Sequence, residues 1–474
     1  MNLTKQEFED RKQKKKRFLL IKELAEDEIT PISIYHRLSG NKKFILESSM
    51  KHNEKGRFSY IGADPYLELK SNGEEIKLLT PKGEIYQEKG RVLDRLKELI
   101  EFEEMEADFP FVGGAIGYIG YDVIRQYEDI GEAKMDHVNM PEAHLLFYQT
   151  VFVYDHFLQK AYIVYVYQPD EKTSYEEMED KYQEMMNQVT SISENPDQPA
   201  QFIKEFVSNV EKEEFCQMVG KAKEYIQKGD IFQVVLSLRF QTTFHGDPFD
   251  IYQQLRMANP SPYLFYIDFQ DYIILGSSPE SLVEVKGKQV ITNPIAGTRP
   301  RGINDKQDQT YESQLQQDEK EIAEHRMLVD LGRNDLGRVS QLETVQVDRY
   351  MEIEKYSHVM HLVSEVSGEL REGLTAIDAL ECCLPAGTVS GAPKIRAMTI
   401  INQLENVKRN VYSGAIGYIS ISGNTAMALA IRTMVIKGDQ VYIQAGAGIV
   451  YDSDPESEYL ESVNKAKALM EVVK

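Results

Sequence analysis

The hexapeptide Gly-Ala-Ile-Gly-Tyr-Ile occurs twice in this chain, at residues 114–119 and again at 414–419. Glycines inside a strand mark a bulge or a close backbone approach. The repeat therefore implies two similar strands, one in each half of the chain, packed face to face. Their surroundings are also rich in strands. A charged helical lead is expected over 1–30, then strands at 44–48, 57–62, 66–69 and 111–120, with a hairpin pair at 145–154 and 161–167. Helices are expected at 91–104 and 171–190. The polar stretch 191–201, with two prolines and no periodicity, reads as a linker between an N-terminal region (1–195) and a C-terminal region (205–474). Beyond it the pattern predicts a helix at 211–228, strands at 231–243, 262–269, 271–277, 281–286 and 289–293, and a long helix over 310–332. Strands at 343–351 and 358–370, helices at 373–382 and 392–405, and three strands (411–421, 425–436, 440–446) lead to a closing helix at 455–471. Runs of strands broken by a few helices predict an α+β fold with large antiparallel or mixed sheets, not a doubly wound parallel sheet.

The last of these strands enters Gln444-Ala445-Gly446-Ala447-Gly448, where missing Cβ atoms let the backbone approach a ligand closely. Asp454 and Pro455 read as N-cap and first position of the closing helix. Glu458 and Glu461 follow three apart, with Lys465 on the same face. Glu321 and Glu324 repeat that spacing on the 310–332 helix. One such pair is as easily a solvated helix face as a ligand set. Two pairs on separate helices beside a glycine strand can meet across one Mg²⁺, which takes few carboxylates and keeps coordination sites for its substrate.

Composition narrows the function. Hydrophobic residues make up 42% and charged residues 27%, in the range of folded globular chains. The net charge of −22 argues against a nucleic-acid partner, and an anionic substrate would need local donors or a metal. The three cysteines, Cys216, Cys382 and Cys383, match no metal or nucleophile pattern and read as buried small residues in a reducing compartment. Met1 to Arg17 is polar and basic, and no apolar run is long enough to span a bilayer, so a cytoplasmic protein is expected. Tryptophan is absent. Gly446-Ala447-Gly448 has Tyr451 where a dinucleotide fingerprint needs its third glycine.

Several stretches are polar where a core strand would be apolar. Ser277-Ser278-Pro279-Glu280 ends a strand, and Asn293 to Gly302 reads as a Gly/Pro/Arg loop. His358 and His361 lie three apart. Leu384 to Lys394 reads as a loop entering a helix with amides free to meet an anion. Arg432 falls within the apolar run Ala428 to Val435 and needs a partner there.

Pro294-Ile295-Ala296-Gly297-Thr298, Asp318 through Asp335, Leu384-Pro385-Ala386-Gly387-Thr388 to Lys394, and Gln444 to Lys465 together resemble the chorismate-utilising enzymes, most closely the aminase (component I) subunits of anthranilate synthases. The resemblance is strong over 205–472 and looser over 40–170. It implies two large, roughly orthogonal sheets in an α/β sandwich. It further implies Mg²⁺ held by Glu321, Glu324, Glu458 and Glu461, and substrate carboxylates taken by Tyr412, Arg432, Gly446, Ala447, Gly448 and Lys465. His361 and Thr388 would face the ring, Thr298 and Gln233 would line the substrate site, and Glu280 would be the acid that protonates the departing hydroxyl. Relatives that add water carry a lysine where this chain has Gln233, and 4-amino-4-deoxychorismate synthases carry one at Ala296; both residues point to anthranilate. Leu46-Glu47-Ser48 and Asn259-Pro260-Ser261-Pro262-Tyr263-Leu264 resemble the two parts of a tryptophan feedback site, with Leu264 where methionine is frequent. The implied reaction is first in tryptophan biosynthesis: chorismate plus ammonia gives anthranilate plus pyruvate. With no glutaminase motif in the chain, ammonia would come from solution or from a glutamine amidotransferase subunit. A 4-amino-4-deoxychorismate synthase and a catalytically silent tryptophan sensor are the competing readings.

Overall fold

The computed structural model describes residues 2–24, 29–48, 56–191, 199–355 and 359–472. His358 and most of the linker stretch lie outside them. The described residues form two large antiparallel sheets flanked by helices, as the strand pattern predicts.

The first sheet runs in the order Phe18–Leu24, Lys160–Tyr167, Thr150–Asp155, Phe58–Gly62, Phe44–Glu47, Tyr263–Asp268, Ile273–Ser278, Thr433–Lys437, Gln440–Ile449, Gln233–His245 and Gln201–Phe202. The second runs Ile295–Pro300, Val359–Glu369, Gln289–Thr292, Ser281–Lys286, Thr425–Leu429, Ala415–Ser420, Gly114–Ile119, Ala143–Tyr148, Leu67–Asn72, Glu75–Leu79 and Ile85–Lys89. Both sheets mix strands from each side of the linker stretch. Side-chain alternation builds the layers. Phe44, Leu46, Phe265 and Ile267 of the first sheet meet Ile116, Leu146 and Ile416 of the second in an inter-sheet core. The alternate residues Ile45, Leu264 and Tyr266 pack outward with Ile34, Phe249 and Leu255. On the far side Ala115, Ile119, Leu145 and Phe147 pack with Leu93, Leu96, Ile377 and Leu380.

The repeated hexapeptides are neighbours within one sheet, not face-to-face partners. Gly114–Ile119 and Ala415–Ser420 pair antiparallel with Gly117 opposite Gly417. A Cβ on Gly117 would stand 2.1 Å from the His144 carbonyl, and one on Gly417 2.1 Å from that of Ala426. The glycines thus serve close approach to the flanking strands.

Two further differences share one physical origin: the chain steps from sheet to sheet without a sequence break that periodicity detects. The expected strand at 145–154 is Ala143–Tyr148 in the second sheet and Thr150–Asp155 in the first, split at Gln149. The expected strand at 425–436 likewise splits into Thr425–Leu429 and Thr433–Lys437. The 293–302 stretch, expected as a loop, contains the strand Ile295–Pro300, with a register shift between Ala296 and Thr298 where Gly297 takes φ 70°. The lead is the helix Lys5–Gln13 followed by the strand Phe18–Leu24. The long helix is two helices, Asp305–Gln317 and Glu319–Gly337, because the Asp318 side chain caps the second by accepting from the amides of Lys320 and Glu321. The helix Pro248–Ala258 was not expected, although Asp247 caps it and Pro248 opens it. Among the described residues no helix is long and apolar enough to cross a membrane.

Candidate active site

Two of the sheet-to-sheet steps lie side by side and carry charged residues. Between Ile273–Ser278 and Ser281–Lys286 the step is Pro279-Glu280; between Thr425–Leu429 and Thr433–Lys437 it ends at Arg432. Backbone bonds lace the steps together: Leu429 N–H donates to the Glu280 carbonyl (3.0 Å) and Ser277 N–H to the Arg432 carbonyl (3.1 Å). Arg432 is not the strand-interior residue expected from its apolar neighbours. It turns the chain with φ 50°, a conformation rare for a side-chain-bearing residue.

Glu280 accepts from Thr388 Oγ1 at 2.6 Å. Burial pushes its carboxyl up to about 7, against the opposing pull of the Thr388 hydrogen bond and the Lys465 charge. The 384–394 stretch, expected as a loop, contains the short helix Gly387–Ser390 that presents Thr388.

The glycine strand supplies the second component. Gln440–Ile449 pairs with Thr433–Lys437 only as far as Met434↔Ile443, but with Gln233–His245 to its end. Its last residues therefore have an open edge. Lys465 Nζ donates to the Gly446 carbonyl across that edge (3.1 Å). On the partner strand, Val235 O and Ser237 N bond away from the glycine strand, to Arg409 and Glu405. Pairs Val235↔Gly448 and Ser237↔Gly446 are thus the non-bonded pairs of the ladder, and Leu236↔Ala447 the bonded one. Gly446 and Gly448 point their N–H groups to the open edge, whereas the Ala447 amide is spent within the sheet. Arg432 donates to the Lys465 carbonyl. A Cβ on Gly446 would come within 3.0 Å of Tyr412 Oη, which places that phenol against the same glycine. Burial pushes the Tyr412 hydroxyl up and lowers Arg432.

His361 sits near this group. Burial lowers its pKa, and the Arg432 charge acts in the same direction. Its Nδ1 is 3.1 Å from the Gly297 carbonyl and 3.0 Å from Thr298 Oγ1. A carbonyl only accepts, so Nδ1 carries a hydrogen, and the lowered pKa favours the neutral ring.

The two glutamate pairs face each other. Glu321 and Glu461 both add to the raised pKa of Glu324, which burial mainly causes. Glu461 does the same for Glu458, and Lys320 opposes the shift on both helices. Glu461 pairs with Lys465 at 2.7 Å, and Arg299 donates to Glu321 at 3.3 Å. Gln233 donates through Nε2 to Glu324 at 3.0 Å, while its Oε1 is buried without a partner. Among the described residues no three ligand-type side chains converge tightly enough to hold an ion as they stand. The donor chemistry nevertheless fits a hard divalent cation: mutually repelling carboxylates from two helices and an orphaned amide oxygen.

The proposed regulatory residues divide. Leu46, Glu47, Ser48, Pro262, Tyr263 and Leu264 line one cavity of about 160 Å³, together with Phe58, Tyr60, Phe265, Glu284 and Tyr418. Leu264 pairs with Glu47 and Phe265 with Leu46 across adjacent strands, so the two motifs form one wall. Ser48 Oγ is buried without a partner. The Glu47 carboxylate is held by Tyr252 (2.7 Å) and Arg256 (2.8 Å). Asn259, Pro260 and Ser261 do not line the cavity. The first and last brace the strand that leads to Glu280: Ser277 Oγ donates to the Asn259 carbonyl (2.5 Å), and Ser261 Oγ to the Ser278 carbonyl.

The family described as chorismate binding enzyme matches residues 42–471, and the chain belongs to it. Within that family, anthranilate synthase component 1 of Lactococcus lactis is 43% identical over 463 residues, covering 95% of this chain and 99% of the relative. That of Acetivibrio thermocellus is 45% identical over 471 residues, covering 95% and 94%. The crystal structure of anthranilate synthase component I from Streptococcus pneumoniae superposes with TM-score 0.80 at 42% identity, covering 94% of this chain and 98% of that one. The menaquinone-specific isochorismate synthase of Escherichia coli, 21% identical with TM-score 0.74, shares the fold.

Proposed function

We propose that this chain is the aminating subunit of an anthranilate synthase, converting chorismate and ammonia to anthranilate, pyruvate and water. The observation that carries the reading is Glu280: a carboxyl kept protonated to about pH 7, bonded to Thr388 and within electrostatic reach of Lys465 on the glycine edge. The Gly446 and Gly448 amides with Lys465 hold one substrate carboxylate, and Arg432 and Tyr412 the other. Ammonia adds at C2 while the C4 hydroxyl takes the Glu280 proton and leaves as water. Loss of the C2 proton and of pyruvate then yields the aromatic ring. Glu321, Glu324, Glu458 and Glu461 would hold Mg²⁺, which when bound neutralises the ring carboxylate and polarises the ring. Neutral His361 offers the ring a polar neighbour that adds no charge.

The cavity beneath Leu46–Ser48 and Pro262–Leu264 suits tryptophan as feedback inhibitor, since Phe58, Tyr60 and Tyr418 supply aromatic walls. A glutamine amidotransferase subunit would supply ammonia in the cell. Three unpaired cysteines accord with a cytoplasmic setting. The test is to incubate the purified chain with chorismate, Mg²⁺ and ammonium at mildly alkaline pH, with and without tryptophan or EDTA, and identify the product by mass and fluorescence. Anthranilate that disappears on adding either tryptophan or EDTA supports the reaction, the metal and the feedback inhibition. Aminodeoxychorismate would overturn the regiochemistry, and turnover indifferent to EDTA would overturn the metal.

A further inference from the structure

Behind the site lies a buried ion pair. Arg409 is 2% exposed and Glu405 5%. Arg409 grips Glu405 through Nε (2.8 Å) and Nη2 (2.6 Å). Its other hydrogens go to the carbonyls of Val389 and Val235, both at 2.7 Å, and to Ser413 Oγ at 3.3 Å. All five N–H groups of the fork are thereby used. Glu405 in turn accepts from the Ser237 amide (2.9 Å) and hydroxyl (2.8 Å).

Each group so held is one step from the chemistry. Val389 follows Thr388, the partner of Glu280. Val235 and Ser237 stand opposite Gly448 and Gly446. The guanidinium also lies 5.5 Å from the centre of the Tyr412 ring. A buried ion pair contributes little net stability relative to apolar residues of similar volume. A fully bonded planar fork does fix several backbone segments in one arrangement, which a point charge such as lysine does not.

We propose that Arg409, held by Glu405, is a positioning residue for the reaction: it fixes the glycine edge, the Tyr412 ring and the Thr388 turn relative to one another, so that Glu280 meets a substrate anchored on Gly446 and Gly448. The proposal rests on the reading of Glu280 as acid and of the glycine edge as anion site.

Arg409→Lys keeps the charge and loses the fork. The expected result is a folded chain with kcat/KM for chorismate down roughly 100-fold, the scale of a misplacement of about 1 Å. A second readout separates positioning from mere damage. The Thr388 hydroxyl stabilises the Glu280 carboxylate, and Lys465 is the charged group that also acts on it. If the Thr388 turn drifts, Glu280 keeps its proton to higher pH, so the alkaline limb of kcat at fixed free ammonia moves up, as in Thr388→Val. Damage alone scales the profile without moving it. The paired variant Arg409→Met with Glu405→Leu strands no buried charge and covers the case in which the lysine variant does not fold; the same loss and the same shift are expected. A folded variant with kcat/KM within threefold of the parent, or an unshifted limb, overturns the proposal. Full turnover by Glu280→Gln would instead overturn the acid reading, while a KM rise in Arg409→Lys still reports on the glycine edge.

Discussion

A carboxylic acid that gives up a proton near neutral pH has to be kept out of water, and burial does this to Glu280, moving its carboxyl from 4.5 to about 7. The acid form is the working one, so kcat should fall as pH rises through that value. Glu280→Gln should still bind chorismate but turn over at least ~100-fold more slowly, as measured by anthranilate fluorescence. The same shift costs stability. Between the unfolded and folded values the unfolded chain releases its proton while the folded chain retains it. Stability therefore falls across that window and stays reduced above it, by at most about 3 kcal/mol. Glu280→Gln should raise the unfolding midpoint at pH 8 and leave it nearly unchanged at pH 4.5; an equal gain at both values would mean the carboxyl is not held protonated. At the other cavity, Ser48→Phe places a ring where Ser48 Oγ lies buried. It should raise the tryptophan concentration for half-inhibition by about tenfold or more, equivalent to about 1.4 kcal/mol of lost binding. An unchanged inhibition curve would remove Ser48 from that site. Glu280 and Thr388 were legible in the sequence because short motifs carry them. Arg409 was not: Glu405 and Arg409 have helical spacing, but the helix Lys394–Leu404 ends just before them and only the tertiary fold closes the fork.

Among elements, the steps between sheets explain both the site and the limits of reading strands by period. An apolar run from Ala428 to Val435 reads as one strand because nothing in its alternation marks the crossing. Arg432 is where the backbone turns, and its guanidinium there donates to the Lys465 carbonyl. The glycine strand was legible because two missing Cβ atoms in five residues are a local signal. That Gly446 and Gly448 face the open edge while Ala447 does not follows from pairing, which one strand cannot reveal. The repeated hexapeptide was visible, but its meaning depended on which neighbour each glycine serves. Gly417 has φ 155°, and a Cβ there would meet the Ala426 carbonyl at 2.1 Å. Gly417→Ala should therefore destabilise the chain by at least about 2 kcal/mol in urea unfolding, since neither strand can withdraw from the middle of a sheet. A loss under about 0.5 kcal/mol would show that the sheet yields there.

At the scale of the molecule, the linker stretch is a compositional boundary that the strand pairing does not respect. Phe44–Glu47 and Phe58–Gly62 sit between Tyr263–Asp268 and the hairpin Thr150–Asp155/Lys160–Tyr167. In the other sheet, Gly114–Ile119 and Ala143–Tyr148 continue directly from Ala415–Ser420. The inter-sheet core draws Phe44, Leu146 and Val153 from before the stretch and Phe265, Ile274 and Ile416 from after it. Residues 205–474 expressed alone would present two unpaired apolar strand edges, Tyr263–Asp268 and Ala415–Ser420, and half of a buried core. Such edges template aggregation. The fragment should therefore be insoluble or fail to unfold cooperatively, although it contains every residue assigned to substrate binding and catalysis. Adding residues 1–195 as a separate chain should restore soluble, active protein, because the missing strands have defined places to dock. The full chain should unfold in urea as a single transition seen alike by tyrosine fluorescence and far-UV circular dichroism. Two separated transitions, or an active 205–474 fragment, would show that the C-terminal sheets hold their register without the strands that now complete them.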